Sequence, residues 1–172
     1  VSVIHQSDAR TGIQRVVRSV LQVLIDQPPP GYRVEPVYGN GGNRPYRYAR
    51  RFTLELLGVS ELQMEDAPIE ARHGDIFLGL DLFTNGTSQN RQLLLDMRKR
   101  GIAVYFVVYD ILPMLRPEWF PHGTEDYFGI YLDTVTHAAN GIICISRAVA
   151  DELAAWTATR PQLRRAPLQL GY

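Results

Sequence analysis

Three stretches of the sequence carry side chains whose types and spacing could do chemistry. In residues 101–146 an apolar run, IAVYFVV, stops abruptly at Tyr109-Asp110. An aspartate at the mouth of a dry strand can act as a base, a hydrogen-bond acceptor or a ligand for sugar hydroxyls. Asp110 is the catalytic candidate on that ground, and the alternative is that it organises the proline-punctuated loop after it through backbone N–H groups. Asp81 follows the strand-like DIFLGL in the same way, with a cap or a turn as its alternative. Asp8 and Thr11-Gly12 form the third stretch. Thr11-Gly12 opens a helical pattern whose free N–H groups and dipole favour an anion. The missing side chain at Gly12 would let a phosphate approach the backbone, or it simply eases the turn. Ser146, after the last apolar run, reads as a helix N-cap.

The elements that must position these residues follow from hydrophobic period. Residues 1–4 are apolar and β-branched and read as a strand. Thr11 and Gln14 match a capping box, and Ile13, Val16, Val17, Val20, Leu21 and Leu24 recur at helical spacing up to the Pro28-Pro29-Pro30-Gly31 stop. A strand is expected at 32–38, a short helix at 46–57 and a strand at 75–80. A single helix at 88–100 should end at Gly101, and the most buried strand should span 102–108. A helix at 125–139, a strand at 142–145, a helix from 146 to about 156 and a last strand at 168–170 complete the pattern. Strands alternating with helices predict an α/β fold, a Rossmann-like parallel sheet with helices on both faces. Asp8 with Thr11-Gly12, then Asp81, Tyr109-Asp110 and Ser146 would then share the carboxyl edge of that sheet, where open α/β folds bind ligands.

Composition narrows the classes. One domain with a substantial core is the expectation for 172 residues. Eighteen Lys and Arg balance eighteen Asp and Glu, which gives no support for nucleic acid as a partner. Cys144 is the sole cysteine, so there is no disulfide framework and no zinc spacing, and a small buried core residue in a reducing setting is the expectation. The four histidines show no metal-type spacing, and neither a GxGxxG nor a P-loop is present. No run reaches the length of a membrane span and no signal peptide is visible. The chain starts at Val1 within apolar sequence and reads as a piece of something longer. Two aromatic clusters remain. Arg44, Arg47, Arg50 and Arg51 interleave with Tyr46, Tyr48 and Phe52, either to hold a phosphate or lipid headgroup or as a solvated face. Trp119-Phe120 reads either as an exposed platform for a sugar or lipid or as packing over the sheet edge.

Three motifs, in order, resemble a known family. TGIQRVV (residues 11–17) is similar to a segment near the start of a mannosyltransferase-like group within the retaining glycosyltransferases of family 4, which have the GT-B fold. YDILPMLRPEWFP (109–121) resembles their strand-end segment [HY]D-L-I-P…P-E-x-F, and AANGIICIS (138–146) with the following helix resembles their AD-x-I-x-x-x-S segment. The resemblance implies an amino-terminal, acceptor-side Rossmann-like domain, with the donor domain and its E-x7-E motif absent from this chain. It implies a nucleotide-sugar donor and a glycan or lipid-linked acceptor in surface polysaccharide synthesis. Peripheral contact with the inner face of the membrane, a cytoplasmic location, and neither a metal nor another cofactor are further implications. Asp110 falls at the sugar-transfer site, and Asp8, Thr11, Gly12, Asp81, Tyr109 and Glu118 become substrate-binding candidates. Many members have histidine where Tyr109 stands, and a tyrosine cannot replace its titration near neutral pH. A non-catalytic α/β binding module is the competing reading.

Overall fold

A computed structural model describes residues 1–7, 11–42, 44–59, 64–160 and 169–172. The chain divides into two units, each described by itself: Val1–Asn40 with Arg44–Glu70, and Gly41–Asn43 with Ala71–Tyr172.

The first unit departs from the expected strand–helix–strand start. Residues 1–4 do not form a strand: Ser2–Gln6 is one turn of helix, α1. Short β-branched segments take strand geometry only when a partner strand is offered, and tertiary contacts decide otherwise here. Ser2 Oγ accepts from Gly39 N at 2.9 Å, Ile4 is buried, and the His5 ring stacks on Tyr38 with centroids 3.9 Å apart. Helix α2, Gly12–Asp26, begins with the expected capping box: Thr11 N donates to Gln14 Oε1 at 3.0 Å and Thr11 Oγ1 accepts from Gln14 N at 3.4 Å. Its buried face carries Gln14, Val17 and Leu21.

The expected strand at 32–38 shrinks to β1, Val37–Tyr38, which pairs antiparallel with β2, Arg47–Tyr48. Helix α3, Arg50–Leu56, follows. The arginine cluster here serves the unit itself. The Arg47 guanidinium donates to Asp66 O, Arg50 Nη1 donates to Glu65 O at 3.3 Å, and the Arg50 guanidinium lies 4.8 Å from the Tyr48 ring centroid. Two of the four arginines are thereby committed to backbone carbonyls and a ring face, a role that neither expectation for the cluster named.

The second unit is the α/β part: a four-stranded, fully parallel sheet flanked by helices, its strands in sequential order, consistent with a Rossmann-like fragment. The strands are β3, Ile76–Gly79; β4, Ala103–Val108; β5, Gly141–Cys144; and β6, Gln169–Gly171, neighbours in that order. Between them lie α4, Thr84–Gln89, and α5, Arg91–Lys99; then α6, Leu112–Leu115, a 3-10 turn Pro117–Trp119, and α7, Thr124–Ala138; then α8, Arg147–Ala158. On one face of the sheet Val104, Phe106 and Val108 meet Ile142 and Cys144, all buried. The Phe106 ring occupies the space beside Gly79, its register partner, where a Cβ would collide with it. Cys144 is a buried core thiol, as expected.

The expected helix at 88–100 is two helices. Asn90 ends α4 and begins α5 with φ −92° and ψ 13°, between helical and turn geometry. Gly86, whose bare Cα lies against the Phe83 ring, lets α4 start earlier than the hydrophobic pattern indicated. Helix α5 ends where expected: Gly101 takes φ +78°, its N–H bonds Arg98 O at 2.9 Å, and Ile102 N bonds Met97 O at 3.1 Å. This Schellman stop hands the chain directly to β4.

Candidate functional site

Sheet register builds the site. Gly79 stands beside Phe106 and Val108 beside Cys144, so β3, β4 and β5 end along one edge. Asp81, Tyr109-Asp110 and Ser146 leave that edge on adjacent strands. Three of the four groups expected on it thus follow strands of this sheet. Thr11-Gly12 belongs to the first unit, where the described residues before it form α1 and not the expected strand. Asp8 lies outside the described residues.

Two tight turns shape the end of β3. Leu80 N donates to Leu78 O and Phe83 N to Asp81 O, both at 3.0 Å, two residues back in each case. They turn Asp81 inward, where it is 7% exposed. Next door, Tyr109 is buried and its hydroxyl donates to Leu80 O at 2.7 Å. Burial pushes the Tyr109 pKa up to about 12, and the Asp81 carboxylate adds to the shift. The phenol is therefore a permanent donor at neutral pH, and its proton is committed to tying β4 to β3.

Tyr131, on α7, went unnoticed in the sequence. It is 1% exposed, and among the described residues its hydroxyl has no hydrogen-bond partner. Burial raises its pKa first, and the fields of Tyr109, Asp81 and Asp110 raise it further. Phe128, Tyr131, Leu132 and Val135 share a helical face, and on pattern alone such a tyrosine is a core residue. Only the fold brings its hydroxyl within the fields of Tyr109, Asp81 and Asp110.

Asp110 is half-buried. Its Oδ1 accepts from Leu112 N at 3.0 Å, an Asx turn that starts the following loop. The organising role is therefore present, and it occupies one of two carboxylate oxygens. The loop is braced: Ile111 and Pro113 are buried, Arg116 N bonds Leu112 O at 2.8 Å, and Trp119 N bonds Arg116 O at 3.0 Å. Glu118 and Trp119 are both exposed on its 3-10 turn.

Ser146 acts as an N-cap, with Oγ accepting from Val149 N at 3.3 Å. Ser146→Ala should cost about 1 kcal/mol of stability, measured by chemical denaturation, with no change in the ligand response of the site. A loss of that response in a folded variant would move Ser146 into the site. In the first unit, Gly12 has a free approach: a Cβ there would meet nothing within 4 Å, and its φ is not positive. No steric demand of the described chain requires glycine at this position.

Among the described residues, no cluster of three or more His, Cys, Asp or Glu side chains could hold a metal ion. No helix among them is long and apolar enough to cross a membrane.

Comparison with known proteins adds a specific likeness. The chain is 38% identical over 170 residues to a serotype-specific mannosyltransferase WbdA of Escherichia coli, covering 98% of this chain and 20% of that protein. A second protein of that name and organism is 37% identical over 170 residues with the same coverage, and a third is 38% identical over 158 residues, 92% of this chain and 19% of its own length. The chain thus spans about one fifth of the length of the curated relatives it matches. No family model matches the sequence, and no solved structure matches it.

Proposed function

We propose that this chain is the acceptor-side half of a retaining, GT-B glycosyltransferase unit of family 4 that transfers mannose from a nucleotide sugar to a glycan or lipid-linked acceptor. The observation that carries the reading is the likeness to the mannosyltransferases, which extends over 98% of the chain and so spans both strand-end segments. The parallel sheet supports it, because its carboxyl edge gathers Asp81, Tyr109 and Asp110 at the position where such sheets take ligands.

In this reading Asp110 accepts a hydrogen bond from a sugar hydroxyl through the carboxylate oxygen that the Asx turn does not use. Tyr109 sets the spacing of the two strand ends. Gly12 admits the donor diphosphate to the helix N-terminus, and a second Rossmann-like domain with an E-x7-E motif closes the cleft. Transfer breaks the bond between the anomeric carbon and the donor phosphate, and forms one to the acceptor oxygen on the same face. The acceptor proton leaves with the phosphate. No step calls on a metal or another cofactor. The product chemistry is that of a surface polysaccharide, built at the cytoplasmic face of the membrane with peripheral contact.

A donor screen tests this. A full-length protein containing this chain should turn over GDP-mannose with a glycan acceptor, while the 172-residue chain alone should show no transfer. Robust turnover by the chain alone would refute the half-enzyme reading. A full-length protein that binds saccharide but turns over none of the nucleotide sugars would establish the non-catalytic module instead.

A further inference from the structure

The loop that leaves Asp110 holds the most exposed tryptophan of the fold. Trp119 is 67% exposed, whereas the other tryptophan of the chain, Trp156, is 9% exposed. An indole left in water presents an apolar face with a hydrogen-bonding edge to a ligand. Its setting is stiff. Pro117 opens the 3-10 turn, Trp119 N and Phe120 N bond back to Arg116 O and Pro117 O at 3.0 and 3.1 Å, and Pro121 follows. The Arg116 guanidinium lies over one face of the indole, 5.9 Å from its centroid and at the outer limit of a cation–π contact, and Trp119 stays 67% exposed. Exposed Glu118 sits beside it in sequence.

We infer that Trp119, with Arg116 and Glu118, is a stacking subsite for one pyranose ring of a neutral saccharide. A pyranose presents a face of C–H bonds with partial positive charge, which matches the negative face of an indole. Its ring hydroxyls are donors and acceptors at once, and they suit a guanidinium and a carboxylate held on one turn. Because the platform is already ordered, binding loses little further conformational entropy. Charge selects the occupant. Residues 110–126 carry four carboxylates, Asp110, Glu118, Glu125 and Asp126, against one arginine, Arg116. That excess of negative charge along the segment, with His122 as its only other titratable base, disfavours phosphate and anionic headgroups and leaves a neutral polyol unaffected. The subsite stands on the loop that starts at the Asp110 turn. It deepens the proposed function, and rests on it, only in taking that saccharide to be the acceptor.

The experiment uses the two indole N–H signals of the ¹⁵N-labelled chain, with buried Trp156 as internal reference. Mannotriose should move the Trp119 signal and leave that of Trp156 in place. Trp119→Ala should abolish the response of the backbone signals of residues 116–120, and Trp119→Tyr should retain a weaker one. The inference is overturned if neither indole moves at roughly ten millimolar saccharide, above the Kd of weak specific binding. It is also overturned if both move together, or if phosphatidylglycerol vesicles move Trp119 and mannotriose does not, which would make the loop a membrane contact. A full-length transferase separates the two readings. There Trp119→Ala should raise the acceptor KM about tenfold with kcat little changed. An unchanged KM with normal turnover overturns the assignment of that saccharide as the acceptor and leaves the transferase. An intact indole response without any turnover removes the transferase and leaves the subsite.

Discussion

Asp110→Ala, made in a full-length transferase carrying this chain, is expected to lower sugar transfer by roughly tenfold to a hundredfold, the range for losing a hydrogen bond to a charged group of about 1.5–3 kcal/mol. The fold should survive, because the half-buried side chain makes one backbone hydrogen bond, to Leu112 N, worth about 1 kcal/mol. Since Asp110 starts the loop as well as facing the site, alanine alone does not separate the two roles. Asp110→Asn does. Its amide oxygen still accepts from Leu112 N, so the Asx turn persists while the negative charge is lost. Transfer that falls in both variants assigns the effect to the carboxylate. Near-normal turnover in Asp110→Asn, with loss only in alanine, assigns it to the turn. Steady-state kinetics together with denaturation midpoints of both variants decide the matter.

The second large effect is on stability and tests the sheet that holds the site. Phe106 is 2% exposed and lies against the bare Cα of Gly79 on the neighbouring strand, with the Phe77 ring edge-on at a centroid distance of 6.1 Å. Phe106→Ala should cost about 3–5 kcal/mol, transfer and cavity together. Gly79→Ala should cost about 1–3 kcal/mol for the opposite reason, a methyl group forced into an occupied space. Because the two changes act on one volume, they should not add. Gly79→Ala combined with Phe106→Ala is expected to be less destabilised than the two single costs imply, the added methyl filling part of the cavity. Additive costs in urea titrations would mean that the two residues do not share that space.

How much of this was legible in the sequence depends on where the decisive contacts lie. The capping box at Thr11 and Gln14, the Gly101 stop, the Ser146 cap and the two central strands could be read because each is fixed within a few residues or by a long apolar run. The start of the chain could not: Val1 to Ile4 have strand propensity, and contacts with residues more than thirty positions away make that segment helical. The break at Asn90 was hidden because the helix was read from Leu93, Leu94 and Met97, all on its carboxyl side, while residues 84–89 carry no apolar period of their own. At the site, Asp81, Tyr109 and Asp110 were found because strand ends show in the sequence as apolar runs that stop. Tyr131 was missed because a tyrosine on an apolar helical face differs from a core residue only through what the fold places next to its hydroxyl. The roles of Arg47 and Arg50 were missed for a related reason: their acceptors are backbone carbonyls at 65 and 66, which carry no side-chain signature.

The hydrogen bond from Tyr109 to the carbonyl of Leu80 has a mechanical consequence. It joins the outgoing end of β4 to the residue just before Asp81, so the two strand-end acids ride on a single cross-linked unit. Any excursion that opens one strand end must carry the other with it or break a buried hydrogen bond. The sheet edge is thus a stiff datum, and clearance for an incoming substrate has to come from elements that are not bound into it. In hydrogen-exchange terms, amides at the ends of β3 and β4 should open together, and Tyr109→Phe should let them open independently.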